Sequence, residues 1–335
     1  MTESLNIYLA PFQSITTHTF RKVYSRHFRG VSKYYTPFFA KIDHESRLSA
    51  RKERELQHLE KGYPEVVPQI LSKDAAEIKR FARICAERGF KELNWNLGCP
   101  MPQVADKKRG SGMLPYPEMV DQLLQELMPD LPLKLSVKCR LGYLSPDEIF
   151  KLLPVFNSYP IHELTVHGRI GKQLYSGTVD LERTAEAYRL AEIPFVYNGD
   201  IFQYSDYQQV LELMPGIDHL MLGRGILCNP FLTNEILGSP IDGERRKILK
   251  AFLDDLYFEY RREYNDRLSP LDLLKEYWDY LMNWFDDPAK VKRIIKKAQG
   301  FDEYEEAVRK IFDERDASRQ LIRELPTPYK TAQGT

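Results

Sequence analysis

The chain has 335 residues, 43% of them hydrophobic and 29% charged, and its 48 basic and 48 acidic side chains cancel to a formal net charge of zero. This globular composition excludes a broadly basic surface, though not a local basic face, and the length suits one large domain or a large and a small one. Four widely spaced cysteines without a CxxC pair exclude a disulfide framework and a structural zinc site. The first residues carry no basic, apolar leader and no apolar run approaches about 18 residues, so a reduced, cytoplasmic protein without a membrane span is expected.

Along the chain, β-rich runs alternate with helical periodicity. Strands are predicted near 5–9, 31–36, 66–71, 92–97, 133–138, 163–167, 194–198 and 218–222, and helices near 17–28, 44–55, 74–88, 117–128, 146–156, 181–191, 205–213 and 225–237. Asp74, with Glu77 at a capping-box position, marks one helix start. Ser145-Pro146-Asp147-Glu148 marks another, as cap, first-turn proline and acidic first turn. Eight β/α units in the first two thirds predict an α/β fold, a (β/α)8 TIM barrel. A doubly wound sheet is the competitor, but Ala10-Pro11-Phe12-Gln13 follows the first strand where that fold usually has a glycine-rich phosphate turn. From Ile241 strand signals vanish, and 254–264 and 271–285 show helical spacing of Leu, Tyr and Trp. The expected organisation is a barrel over 1–240, a small all-helical domain over 241–325 and a loose tail over 326–335.

Strand after strand ends in an abrupt polar or glycine residue, and in a barrel those ends carry the active site. Asn96-Leu97-Gly98-Cys99-Pro100 places one thiol in a tight turn after strand 4. Ala10-Pro11-Phe12, Gln69, Lys138, His167, Asn198-Gly199-Asp200 and Gly223-Arg224 hold the corresponding places on other strands. The loops after strands 7 and 8 offer backbone N–H groups beside a helix start, a frequent phosphate site in barrels. Lys138 can neutralise an electron-rich ring, and Gln69 can donate and accept together, as a pyrimidine-like ring edge requires. Phosphate loops, a cation and an amide together suggest FMN.

Seven motifs, in order and each at a predicted strand end, resemble those of the tRNA-dihydrouridine synthases over about residues 5–235. They are Ala10-Pro11, Asn96-x-Gly98-Cys99-Pro100, Val137-Lys138-x-Arg140-x-Gly142, His167-Gly168-Arg169, Tyr175-x-Gly177, Asn198-Gly199-Asp200-Ile201 and Gly223-Arg224-Gly225. The resemblance implies FMN in a TIM barrel, reduced by NADPH or NADH, and hydride transfer from the flavin to C6 of uracil in tRNA, with Cys99 as the proton donor to C5. It further implies that Ala10, Pro11 and Phe12 touch the flavin, and that Gln69 and Lys138 bind the isoalloxazine edge. His167, Asn198, Gly199, Asp200, Gly223 and Arg224 would hold ribityl and phosphate, and Asn96 and Arg169 would contact the substrate. No metal is implied, nor DNA as a partner, and a monomer is expected. The chain departs from the family pattern at Phe12, where Met is usual, at Ile170, where Thr is common, and at Asn94, where many members have Asp.

A protonated thiol suits a general acid, since a free cysteine has a pKa of about 8.5. Cys85, Cys139 and Cys228 are read as structural, as are the histidines other than His167. The run Lys290–Lys297 holds five cations and no acid, either a solvated helix face or a grip on RNA phosphate; Lys107-Lys108-Arg109 is a second basic cluster. Tyr277, Trp278, Tyr280 and Trp284 are read as packing core. Two rival readings remain: an FMN oxidoreductase of free pyrimidines or other small molecules, and a non-catalytic RNA-binding scaffold.

Overall fold

Short apolar, β-branched runs separated by capped helices assemble into parallel strands in the computed structural model, which describes residues 5–42, 48–239, 241, 243–265 and 267–317. The strands are β1 (Asn6–Leu9), β2 (Val31–Tyr35), β3 (Glu65–Val67), β4 (Gln69–Ile70), β5 (Glu92–Leu97), β6 (Lys134–Gly142), β7 (Glu163–Ile170), β8 (Phe195–Asn198) and β9 (His219–Leu222). Their order in the sheet is β3-β2-β1-β9-β8-β7-β6-β5-β4. The two ends of that series, β3 and β4, are one stretch of chain divided at Pro68, which has no N–H to give a neighbour. The flanking groups close the ring. Thr36 N donates to Val67 O (3.0 Å), and Asn94 N donates to Pro68 O (2.9 Å). The result is the expected (β/α)8 barrel, with the predicted strand 66–71 broken in its middle.

Alternation along each strand sorts residues between the two faces of the barrel wall. Ile7 and Leu9, Leu220 and Leu222, and Phe195 and Tyr197 belong to the large core under the helices. Tyr8, Ala10, Tyr35, Val67, Val196 and Met221 form a separate buried cluster in the barrel interior. On β5, β6 and β7 the interior positions are polar instead: Glu92-x-Asn94-x-Asn96, Ser136-x-Lys138-x-Arg140 and Glu163-x-Thr165-x-His167. The register pairs Asn94 with Ser136 and Asn96 with Lys138.

Helix starts follow the local chemistry with small shifts. Asp74 caps Ala75–Glu87 by accepting from Glu77 N (3.0 Å), while the Glu77 carboxylate accepts from Ser72 Oγ and Ile42 N rather than closing a capping box. The helix expected from 146 begins at Glu148, whose carboxylate gathers the N–H groups of Tyr143, Leu144 and Ser145. The helix expected over 225–237 is two, Arg224–Cys228 and Leu232–Ile236, because Pro230 interrupts it. Only Ala50–Glu55 of the helix expected over 44–55 is observed, and residues 43–47 lie outside the described residues.

Beyond the barrel the described residues form four α-helices: Arg245–Glu263, Ser269–Leu281, Pro288–Lys297 and Phe301–Glu314. The last was not placed individually in the sequence but falls within the expected all-helical region. The first two pack on the barrel's own first helix, His18–His27, through an aromatic cluster. Phe28 meets Phe252 at 5.1 Å, and Phe20 meets Tyr277 at 5.3 Å, both edge to face. Tyr277, Trp278, Tyr280 and Trp284 are buried, as core residues should be. The expected tail from 326 lies outside the described residues. Among the described residues no helix is long and apolar enough to cross a membrane.

Candidate active site

At the C-terminal ends of the strands lies a cavity open to solvent. Ala10, Pro11, Phe12, Gln69, Asn96, Cys99, Lys138, His167, Asn198, Gly199, Asp200, Gly223 and Arg224 all line it. Arg169 does not. Its side chain is buried, and the guanidinium bonds Asp200 Oδ1 (2.9 Å) and the carbonyls of Ser176 and Gly177. Arg169, expected to contact substrate, braces the loop after β7 and holds Asp200.

Cys99 is 8% exposed. Its turn is fixed from two sides. Asn96 Oδ1 accepts from the amides of Gly98 and Cys99 (both 3.0 Å), while the Cys99 carbonyl accepts from Ser111 N and Oγ (both 3.0 Å). The loop that returns Ser111 to this place needs glycine at 110. There φ is +54°, and an added Cβ would lie 2.7 Å from the Cys99 carbonyl oxygen. Burial raises the thiol pKa, against the opposing Met101 amide and Arg140 charge, so the thiol stays protonated at neutral pH.

The cavity carries three cations, Lys138, Arg140 and Arg224, against one carboxylate, Asp200. Lys138 Nζ donates to Asn198 Oδ1 (2.9 Å), and burial together with Arg140 pushes its pKa down to about 7. Asn198 passes the link on, donating through Nδ2 to Met221 O (2.7 Å). The Asp200 carboxylate is engaged by Arg169 and by Arg224 Nη2 (2.6 Å). Burial alone would raise its pKa, but those guanidiniums hold it below the usual range. Asn198 and Asp200, both in the cavity wall, also orient Lys138 and Arg224. Burial and the charges of Arg140, Lys138, Arg169 and Arg224 keep His167 neutral, far below its ordinary pKa.

Sequence reasoning gave no role to Arg140 or Tyr175. Arg140 Nε donates to Gly98 O (2.9 Å) and Nη1 to the carbonyls of Ile170 (3.0 Å) and Leu174 (2.7 Å), tying the Cys99 turn to the loop after β7. The guanidiniums of Arg140 and Arg224 each lie 5.1 Å from the centroid of the Tyr175 ring. The signal for Arg140 was present: two residues after Lys138 on one strand, it must face the same way. Phe12 meets Tyr280 of the helix Ser269–Leu281 edge to face at 5.9 Å, so the cavity rim touches the helical region.

The excess of cations suits an anionic group, the Ala10-Pro11-Phe12 wall suits a flat ring, and the amide of Gln69 suits that ring's polar edge. These are donors and surfaces that suit a flavin. Among the described residues no group of three His, Cys, Asp or Glu is arranged to hold a metal ion.

A family model described as dihydrouridine synthase matches residues 8–316. The chain is 26% identical over 273 residues to tRNA-dihydrouridine synthase B of Pasteurella multocida (strain Pm70), covering 78% of this chain and 81% of that protein. It is 30% identical over 275 residues to the probable tRNA-dihydrouridine synthase 2 of Bacillus subtilis (strain 168), again covering 78% and 81%. Among solved structures, histamine dehydrogenase from Rhizobium sp. 4-9 superposes with a TM-score of 0.52 at 11% identity, over 76% of this chain and 48% of that one, a likeness of fold alone.

Proposed function

The chain belongs to the dihydrouridine synthase family, and from that premise we propose that it reduces uridine in tRNA to 5,6-dihydrouridine with FMN as cofactor, NADPH or NADH as reductant and Cys99 as proton donor. A flavin belongs to this family's chemistry and, when bound, supplies the hydride that goes to C6 of the uracil ring. The observation that carries the reading is one shared cavity: a buried, protonated thiol on one side and Lys138 and Arg224 on another.

Arg224, oriented by Asp200, and the backbone of Gly199 and Gly223 would hold the phosphate, with neutral His167 as a hydrogen-bonding partner beside them. Ala10, Pro11 and Phe12 form the apolar wall, and Gln69 with Lys138 would bind the polar edge of the ring. Asn96 has both acceptor positions taken by backbone amides and one Nδ2 hydrogen on Gln69. Its remaining N–H suits a uracil carbonyl. Cys99 gives its Sγ proton to C5, and the thiolate left behind is reprotonated from solvent. The base must leave its stack to reach the cavity, at a cost of a few kcal/mol.

Purified protein loaded with FMN and NADPH and given tRNA transcript should form dihydrouridine, read by nucleoside mass spectrometry. Cys99→Ala should keep flavin and RNA binding but lose about 100-fold or more in rate, the usual weight of a general acid. Turnover of free pyrimidine instead of tRNA would move the protein to the small-molecule reading, and protein that neither holds nor takes up FMN would defeat both.

For RNA contact the reading adds the helix Pro288–Lys297. Val291 and Ile295 are buried and Lys292 pairs with Asp279 (2.9 Å), but Arg293, Lys296 and Lys297 are exposed. Arg293→Glu with Lys297→Glu should weaken tRNA binding and reduce its salt slope by about 1 to 2. An unchanged slope removes this helix from the interface.

A further inference from the structure

The polar contacts of the Cys99 turn continue into the barrel beyond Gln69. Asn96 Nδ2 donates to Gln69 Oε1 (2.7 Å), Gln69 Nε2 donates to Asn94 Oδ1 (2.8 Å), and Asn94 Nδ2 donates to Ser136 Oγ (2.8 Å). Together with the two amides on Asn96 Oδ1, an unbroken chain runs from Ser136 through Asn94, Gln69 and Asn96 to the backbone of Cys99. Asn94 is 0% and Ser136 1% exposed, and neither lines the cavity. Strand register builds the chain, since Gln69 pairs with Asn94 and Asn94 with Ser136.

A carboxamide donates at one end and accepts at the other, and its neighbours decide which end goes where. Here the decision comes from the backbone. The Gly98 and Cys99 amides can only donate, so the Asn96 oxygen must face them and its nitrogen must face Gln69. Gln69 is then forced to accept there and to donate to Asn94, which in turn must donate to Ser136. The Ser136 hydroxyl, buried at the far end, takes that hydrogen bond as acceptor. Reversing one link alone would set two donors or two acceptors against each other and leave buried groups unsatisfied.

We propose that Asn94 and Ser136 are positioning residues: they lock the direction of the Gln69 amide and, through Asn96, the turn that presents the Cys99 thiol. The consequence for dihydrouridine formation rests on the function proposed above, but the device itself does not.

The test uses alkylation of Cys99 by iodoacetamide in the purified protein, mapped by peptide mass. The other three cysteines are 0% exposed, and the assay needs neither flavin nor RNA, so failure of the functional reading leaves it intact. Asn94→Leu should speed alkylation several-fold. Gln69→Leu should do the same, and the double variant should be no faster than Gln69→Leu alone, because both cut one chain. Asn94→Asp, which still accepts from Gln69 Nε2, should stay near the wild-type rate, a rescue that general loosening would not give. A wild-type rate in Asn94→Leu, additive effects, or an Asn94→Asp as fast as Asn94→Leu would overturn the proposal. If Asn94→Leu does not fold, Ser136→Ala replaces it, with a smaller acceleration expected; an unchanged rate is equally fatal.

Discussion

The two sides of the barrel interior solve the same packing problem in opposite ways. On β1, β2, β3, β8 and β9 the interior is mostly apolar, with Tyr8, Ala10, Tyr35, Val67, Val196 and Met221 in contact, broken by Lys33 on β2 and Asn198 on β8. On β5, β6 and β7 it is filled by carboxylates, amides, hydroxyls and cations in layers, from Glu92 and Glu163 at the floor to Lys138 and His167 at the mouth. The apolar side gives packing density at no electrostatic cost. The polar side must satisfy every buried group, and each group it satisfies fixes the direction of the next. A wall of that kind adds little net stability and much orientation, which is what a site built from hydrogen-bond donors needs.

The largest way to break the contrast is at the floor. Lys33 reaches across the interior from β2 to Glu92 (2.8 Å) and Glu163 (2.9 Å), with Tyr8 Oη donating to Glu163 (2.8 Å). Burial works against the lysine's charge, yet the two carboxylates raise its pKa. Lys33→Met makes this corner apolar and strands two buried carboxylates, and should cost about 3–5 kcal/mol in urea unfolding. The pH dependence has a definite sign. Burial raises the Glu92 pKa, and Lys33 is the chief group opposing that rise. An acid with a raised native pKa holds its proton where the unfolded chain releases it, so it favours folding as pH falls through that window. Without Lys33 the window extends upward, and the variant's deficit should be smaller at pH 5.5 than at pH 8. A small deficit that ignores pH would mean the floor charges are not desolvated.

How much of this was legible depended on how local the signal was. All eight staves and the strand-end residues from Ala10 to Arg224 were readable, because an apolar run ending in a functional group is a pattern within a few residues. The division at Pro68 was written in the sequence as well, in a residue that cannot donate. The helix Phe301–Glu314 escaped, although Tyr304, Val308 and Ile311 have helical spacing, because its many charges dilute the apolar stripe. The Arg169–Asp200, Lys138–Asn198 and Arg224–Asp200 contacts were not legible, because a side chain's partner depends on register between strands. The chain from Ser136 to Cys99 is the extreme case: it joins β4, β5 and β6, and nothing within any one of them announces it.

A finer probe of the polar side is Lys138. Its pKa of about 7 comes from burial and the nearby Arg140 charge, and an anionic ligand in the cavity would favour the protonated form. FMN affinity should therefore fall as pH rises from about 7 to 9, where the unbound lysine is losing its proton and a bound one keeps it. His167 is already neutral below that window, and burial raises the Cys99 thiol above its ordinary pKa, so neither supplies the trend. Lys138→Met should bind FMN about tenfold more weakly at pH 7, a difference of about 1.4 kcal/mol, and its affinity should be flat over the same range. Parallel pH profiles for the two proteins would show that Lys138 does not meet the flavin's charge. A flat variant profile beside a falling wild-type one would assign the pH dependence to this single amine, and with it the place where the polar wall meets its ligand.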